Sequence, residues 1–158
     1  MSLSLFPIAQ ALAPFTEAHS ARLSLAHYRA YYQLDELSAC NVQHVAGQVM
    51  SSGTALALQA WVVPNHVRPT ALCVHGYFDH SGWSKPLIEL LLAQGYNVCC
   101  LDLPGHGLSN GERASIAHFD DYGAAIFNAT TAIKSWLPPV SLAVGHSTGA
   151  AAWLNCLS

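Results

Sequence analysis

Val140-Ser141-Leu142-Ala143-Val144-Gly145-His146-Ser147-Thr148-Gly149-Ala150-Ala151-Ala152-Trp153-Leu154 changes character twice within fifteen residues. An apolar run is followed by Gly-His-Ser-Thr-Gly and then by a small, apolar, helix-favouring stretch, which predicts a strand, a sharp turn and a helix with Ser147 at the apex. Such a turn forces unusual backbone angles on the serine and brings strand and helix close together, which small flanking glycines permit. The hydroxyl is pushed out beyond the sheet edge, and the first N–H groups of the following helix point toward the same place. The G-x-S-x-G pattern alone is a modest signal, and its surroundings sharpen it.

Two other segments end in the same way. Thr70-Ala71-Leu72-Cys73-Val74 reads as a buried strand running into His75-Gly76-Tyr77-Phe78-Asp79-His80-Ser81-Gly82. A glycine directly after a strand lets the backbone fold back and turn its next N–H into the space above the sheet. Asn97-Val98-Cys99-Cys100-Leu101-Asp102-Leu103 is a second apolar strand, ending in Pro104-Gly105-His106-Gly107-Leu108-Ser109-Asn110-Gly111-Glu112-Arg113. Three strand ends therefore open into glycine-rich polar loops. Ligands of open parallel sheets bind at that carboxyl edge.

The rest of the chain follows from periodicity and punctuation. Residues 1–40 read as mixed helix and coil forming an N-terminal surface extension, and 41–158 as the folded unit. His44–Met50 and Ala55–Val63 read as strands joined by a hairpin turn at Ser51-Ser52-Gly53-Thr54. A helix is predicted from an N-cap at Ser84 to a glycine stop at Gly95. A longer helix is predicted over Ser115–Leu137, with Phe119, Tyr122, Ile126, Ala129, Ile133 and Leu137 as one buried stripe and Pro138-Pro139 as its end. Strands alternating with helices imply crossover units and a mainly parallel sheet of the α/β class with helices on both faces.

The segments HGYFDHSGW, DLPGHGLSNGER and GHSTGA resemble those of the α/β-hydrolase superfamily. Within it they are most similar to the lysophospholipase and monoacylglycerol-lipase-like branch, also described as the serine aminopeptidase family. The likeness runs from about residue 44 to the last residue. It implies that Ser147 is the nucleophile and that the backbone N–H groups of Tyr77 and Thr148 form the oxyanion hole. In that family the triad order is Ser, Asp, His, and the later two lie well downstream of the nucleophile. No residue here aligns with them, so the resemblance covers the N-terminal half of the fold, truncated after the elbow. It implies acyl transfer on a small-molecule carboxylic ester, with a lipid-like substrate and peripheral contact with lipid, and a chain that is nearly inactive alone and tends to self-associate. A serine at the elbow disfavours the related branches that use an aspartate nucleophile. A second class stays open: a non-catalytic hydrolase-fold module that binds a ligand at the sheet edge or a partner on the exposed sheet.

Each remaining candidate has a plainer reading. His146 is expected to pack or hydrogen-bond beside the turn, and His75 to order the loop carrying Gly76 and Tyr77. Asp79, His80 and Ser81 either line the mouth of the site or tie their own loop together. Asp102, Pro104, His106 and Gly107 are expected to brace the loop after their strand by side-chain to backbone bonds, and Glu112 and Arg113 to form a solvated pair.

Composition narrows the classes further. Apolar residues make up 52% of the 158 and charged residues 9%, against about a quarter in typical soluble domains, which fits a chain that is mostly core strand and core helix. A net charge of −3 provides no basic footprint for nucleic acid. No run approaches the roughly twenty apolar residues of a membrane span. Met1–Ile8 is apolar but lacks a basic n-region and is broken by Pro7, so a cytoplasmic location is expected. Five cysteines, an odd number with three in core strands, argue for reduced thiols. The nine histidines show no ligand spacing, so no metal and no cofactor are expected.

Overall fold

Alternation along the strands places one set of side chains on each face of a five-stranded sheet. The computed structural model describes residues 12–16 and 25–158; the reading of Met1–Ile8 falls outside them. The elements are α1 (Ala26–Tyr31), a 3₁₀ turn at Leu34–Cys40, β1 (Gln43–Ser51), β2 (Thr54–Val62), β3 (Thr70–Val74), a 3₁₀ turn at Ser81–Ser84, α2 (Lys85–Ala93), β4 (Asn97–Leu101), α3 (Asp120–Lys134), β5 (Val140–Gly145) and α4 (Thr148–Leu157). On one face Ala71 and Cys73 of β3 and Val98 and Cys100 of β4 pack with Tyr28 of α1 and with Ile88 and Leu91 of α2. On the other, Leu72, Val74, Cys99 and Leu101 pack against Tyr122, Ala125, Ile126 and Ala129 of α3 and Ala152 and Trp153 of α4. Helices therefore cover both faces, and the unbroken apolar runs of β3 and β4, buried at every position, are what permit it.

The strand order is β1-β2-β4-β3-β5. β4, β3 and β5 run parallel, while the β1–β2 hairpin and its junction with β4 are antiparallel, which makes the sheet mixed. The hairpin turns through Ser52 and Gly53, both at positive φ (+48° and +77°), the pattern that matches strand twist in a two-residue connection. From β3 the chain crosses over one face through α2 to β4. It then returns over the opposite face through α3 to β5, on the far side of β3. That reversal opens a crevice at the carboxyl ends of β3 and β5.

Three details differ from the sequence reading. Ser84 occupies the N-cap position of α2 without a side-chain cap, because the preceding 3₁₀ turn already starts the coil; its cap is His80, which accepts from the Gly82 N–H. The long helix begins at Asp120 rather than Ser115, since residues 112–118 are drawn into the loop after β4: the Ala114 N–H donates to Gly105 O at 3.1 Å and the Ser115 N–H to Glu112 O at 3.2 Å. Phe119, expected in the buried stripe, is therefore the residue before that helix and is 44% exposed. The described part of the stretch 1–40 is also no loose surface piece. Leu25, Tyr28, Leu34 and Leu37 are buried in the core, and residues 13–15 lie along β1 through the Phe15 N–H to Gln48 O (3.1 Å) and Gln48 N–H to Ala13 O (2.8 Å) bonds.

A polar cluster lies inside the apolar face. His44 stacks on Trp61 with ring centroids 4.5 Å apart and 11° between planes. Its Nε2 is 3.1 Å from Gln59 Oε1, and the Gln59 amide donates to the Tyr28 hydroxyl at 3.4 Å. Gln59 Oε1 accepts only, so the His44 proton is assigned to Nε2. Burial, helped by the Arg29 charge and opposed by the Gln59 hydrogen bond, lowers the His44 pKa to about 3. An unfolded His44 takes up its proton near 6.5. Between those values the unfolded chain binds one more proton than the folded chain, so the stability contributed by neutral His44 is complete above about pH 6.5 and is lost as the pH falls toward 3. In urea unfolding at pH 7, 6, 5 and 4, His44→Phe is expected to start lower, with Gln59 unpaired, yet to lose up to about 1.4 kcal/mol less per pH unit than the wild type. Equal slopes would refute the assignment.

Candidate active site

At Ser147 the backbone adopts φ +50° and ψ −114°, a region that costs a non-glycine residue about 1–3 kcal/mol unless its surroundings enforce it. They do so from both sides. The His146 N–H donates to Val74 O at 3.1 Å, tying the turn to the end of β3. On the helix side, the Gly149, Ala150 and Ala151 N–H groups donate to His146 O, Ser147 O and Ser147 O at 2.9, 3.0 and 3.1 Å. Of the first four donors of α4, that of Thr148 is left without a protein acceptor among the described residues.

Glycines allow this close passage. A Cβ at Gly145 would lie 2.6 Å from the backbone N of Ala150, and one at Gly149 would lie 2.6 Å from His75 O and closer still to Val74 O. β5 and α4 thus pass each other and the end of β3 at backbone contact. Ser147 and His146 are exposed at the carboxyl edge. Among the described residues no side chain hydrogen-bonds Ser147 Oγ.

The loop after β3 faces this turn. A Cβ at Gly76 would stand 2.7 Å from His146 Nδ1, so the elbow and the His75–Tyr77 backbone are neighbours. His75 is buried and braces the loop: the Leu103 N–H donates to its Nε2 at 3.0 Å, and its Nδ1–H therefore donates to Gly76 O at 2.7 Å. Both ring nitrogens are engaged in backbone bonds. The Tyr77 side chain points outward, 46% exposed, with its hydroxyl on Ala114 O and its ring against Phe78 and His106. Asp79 ties its own turn, accepting from the His80 N–H at 2.8 Å. His80 turns away from Ser147 toward α1, with Nε2 3.1 Å from the Tyr32 hydroxyl.

Asp102 organises both loops. It is fully buried, and its carboxylate accepts from the Ser81 N–H (2.7 Å), the Ser81 hydroxyl (2.5 Å) and the Leu108 N–H (2.8 Å). Its carbonyl accepts from the Ser109 hydroxyl at 2.6 Å, while Ser109 Oγ accepts from the Ala57 N–H at 2.8 Å. Charge-assisted bonds of this kind are among the stronger ones, and they satisfy a group that is costly to bury alone. Gly107 leaves room for the carboxylate. His106 donates from Nδ1 to Pro104 O at 2.8 Å, and burial lowers its pKa. Arg113 donates to Gly107 O at 3.2 Å.

The structure thus brings His75, Gly76, Tyr77, His146, Ser147 and Thr148 together and sets Asp79 and His80 to one side. Reading the sequence foresaw the loop-bracing by Asp102. It missed that the same carboxylate holds Ser81 of the other loop, and that Tyr32 meets His80.

Residues 65–158, more than half of the chain, match the family described as "Serine aminopeptidase, S33". A monoglyceride lipase homolog of Monkeypox virus is 36% identical over 92 residues, covering 57% of this chain and 33% of that protein. Phospholipase YtpA of Bacillus subtilis is 36% identical over 84 residues, covering 52% of this chain and 32% of that protein. An esterase of Pyrococcus furiosus superposes with a TM-score of 0.63 at 25% identity, over 78% of this chain and 48% of that one. The chain spans about a third of the length of these curated relatives.

Two substitutions test the geometry. Asp102→Ala strands the buried Ser81 and Leu108 N–H groups, and Gly149→Ala drives a methyl group into two backbone carbonyls. Each is expected to lower the free energy of unfolding by about 2–4 kcal/mol in urea titrations, whereas a loss below about 0.5 kcal/mol would show that the loops do not depend on these contacts.

Proposed function

The chain belongs to the serine aminopeptidase (S33) family of α/β hydrolases, and from that premise we propose that it carries the nucleophile and oxyanion half of a carboxylic-ester hydrolase working through an acyl-enzyme. The observation that carries this reading is Ser147 at φ +50°, held between β3 and α4 on the carboxyl edge. In the proposed reaction Ser147 Oγ attacks the ester carbonyl carbon while a histidine takes its proton, and the oxyanion is held by the N–H groups of Tyr77 and Thr148. The tetrahedral intermediate collapses with loss of the alcohol, which receives that proton, and water then releases the acid.

The histidine and its aspartate partner are proposed to belong to the part of the fold that the relatives have and this chain does not span. His75 and His80 have both ring nitrogens engaged in backbone or tyrosine bonds, and His106 has its Nδ1 on Pro104 O, which supports that reading. The lipase and phospholipase names of the relatives favour a lipid-like ester as substrate, with peripheral contact with lipid. Free Cys73, Cys99, Cys100 and Cys156 favour a reducing compartment and thus the cytoplasm. Among the described residues no helix is long and apolar enough to cross a membrane.

A second reading is a hydrolase-fold module without turnover, in which the loops at the carboxyl edge bind a ligand. An active-serine fluorophosphonate separates the two. In the chain joined to the downstream half of a relative it is expected to label Ser147, with labelling lost in Ser147→Ala. Labelling that persists in that variant would overturn the assignment of Ser147, and none at all in the wild type would favour the module. The 158-residue chain alone is expected to hydrolyse a short p-nitrophenyl ester within a small factor of its Ser147→Ala control.

β5 forms one edge of the sheet, with Val140, Leu142 and Val144 only half-buried and with Phe127, Leu154 and Leu157 exposed on the helices beside it. Unpaired strand edges next to apolar surface recruit further strands. The chain alone is accordingly expected to elute from size-exclusion columns in a concentration-dependent position above its monomer mass of 16.9 kDa. A concentration-independent monomer would contradict this.

A further inference from the structure

Gly82 lies beneath three rings. A Cβ there would stand 2.7 Å from His80 Cε1, 2.8 Å from Tyr32 Cδ2 and 2.9 Å from the Tyr28 hydroxyl. The Gly82 N–H donates to His80 Nδ1 at 3.1 Å, and His80 Nε2 is 3.1 Å from the Tyr32 hydroxyl. An amide N–H can only donate, so His80 Nδ1 must carry a lone pair, and the proton of the neutral ring is assigned to Nε2, on the tyrosine oxygen. The next residue, Ser81, is gripped by Asp102. The C-terminal end of the 76–82 turn is thus fastened twice, through Ser81 to Asp102 just after β4 and through His80 to Tyr32 just after α1.

Tyr32 lies outside residues 65–158, so the family match does not account for it. Its ring is also wedged edge-on between Tyr31, His80 and Trp83, with centroids 4.8, 5.0 and 5.2 Å away. We propose that Tyr32 is a positioning residue that holds His80 in its neutral Nε2–H form and so fixes the 76–82 turn, and that protonation of His80 releases the turn. Its meaning for catalysis rests on the reading of Tyr77 as an oxyanion donor, since Tyr77 lies within that turn; the lock itself does not.

An imidazolium carries a proton on Nδ1 as well, which would meet the Gly82 N–H donor to donor. The groups facing His80 come from every neighbouring element. Burial sets its pKa below the ordinary 6.5; Asp102 at the end of β4 and Asp79 on its own turn pull it up, and Arg113 and His106 on the loop after β4 push it down. From α1 and its C-terminal end the facing groups are the uncharged phenols of Tyr28 and Tyr32. A group whose value in the closed turn is below its value when opened binds its proton preferentially in the open form. The lock is therefore complete above about pH 6.5 and weakens as the pH falls below it.

Amide exchange and histidine ¹⁵N spectra of the 158-residue chain test this without substrate. The wild type is expected to show His80 as the Nε2–H tautomer at pH 7.5. Protection of the Gly82 amide, corrected for intrinsic exchange, is expected to decline as the pH is lowered to 5.5. Tyr32→Phe should lower that protection about tenfold at pH 7.5, the scale of one net hydrogen bond, with β3 and β4 amides unchanged. His80→Gln should make the protection independent of pH. An Nδ1–H tautomer, a pH-independent wild type, or unaltered Gly82 protection in Tyr32→Phe would each overturn the proposal. If Tyr32→Phe also loses β4 protection, the wild-type tautomer and pH course decide alone. Fluorophosphonate labelling of Ser147 in the joined chain reports on the hydrolase reading separately, and its failure would leave these results standing.

Discussion

Burying one carboxylate imposes most of the order at the carboxyl edge of the sheet. Asp102 has no exposed surface, and a carboxylate removed from water must collect hydrogen bonds or destabilise the fold by several kcal/mol. The donors it collects come from both loops that border the crevice: Ser81 from the one after β3, and Leu108 from the one after β4. Once these are engaged, Gly107 has to be glycine and Ser109 closes back onto β2 through Ala57. An electrostatic requirement inside the protein thereby ties the two loops together.

The elbow depends on a different constraint, the distance of approach between backbones. β5 leads straight into α4, and the helix has to begin beside the end of β3 for Trp153 and Ala152 to reach the core. Only a residue without a side chain can sit where Gly149 meets the Val74 and His75 carbonyls. The positive φ of Ser147 follows from that short passage, with the strain compensated by packing on either side of it. A serine so placed is exposed at the sheet edge and is followed by the one first-turn N–H of α4, that of Thr148, that has no protein acceptor among the described residues.

These two constraints meet at His75. Its ring takes the N–H of Leu103, the residue after Asp102 in the loop that follows β4, and gives its own proton to Gly76 O, next to the elbow. With both nitrogens occupied it braces the loop. His80 is occupied in the same manner but by α1, a segment far away in sequence. His75 and His80 are therefore parts of the scaffold of this edge, each with both ring nitrogens held by hydrogen bonds.

The local parts of this design are legible in the sequence because they rest on local physics. Short continuous apolar runs mark β2, β3 and β4, the Ser52-Gly53 turn marks the hairpin, Gly95 marks the end of α2, and the G-x-S-x-G between a strand and a helix marks the elbow. What the tertiary structure alone decided involves groups brought together from distant segments. The stripe over Ser115–Leu137 has helical spacing, yet residues 112–118 serve the Asp102 loop instead, because bonds to Gly105 and Glu112 replace those of a helical turn. His44 and Gln59 look like ordinary strand residues and prove to be a buried pair. Tyr32 carries no motif, and its partner His80 is 48 residues away. Propensity and periodicity act over a few residues, whereas the satisfaction of buried polar groups is settled only when the whole chain has closed around them.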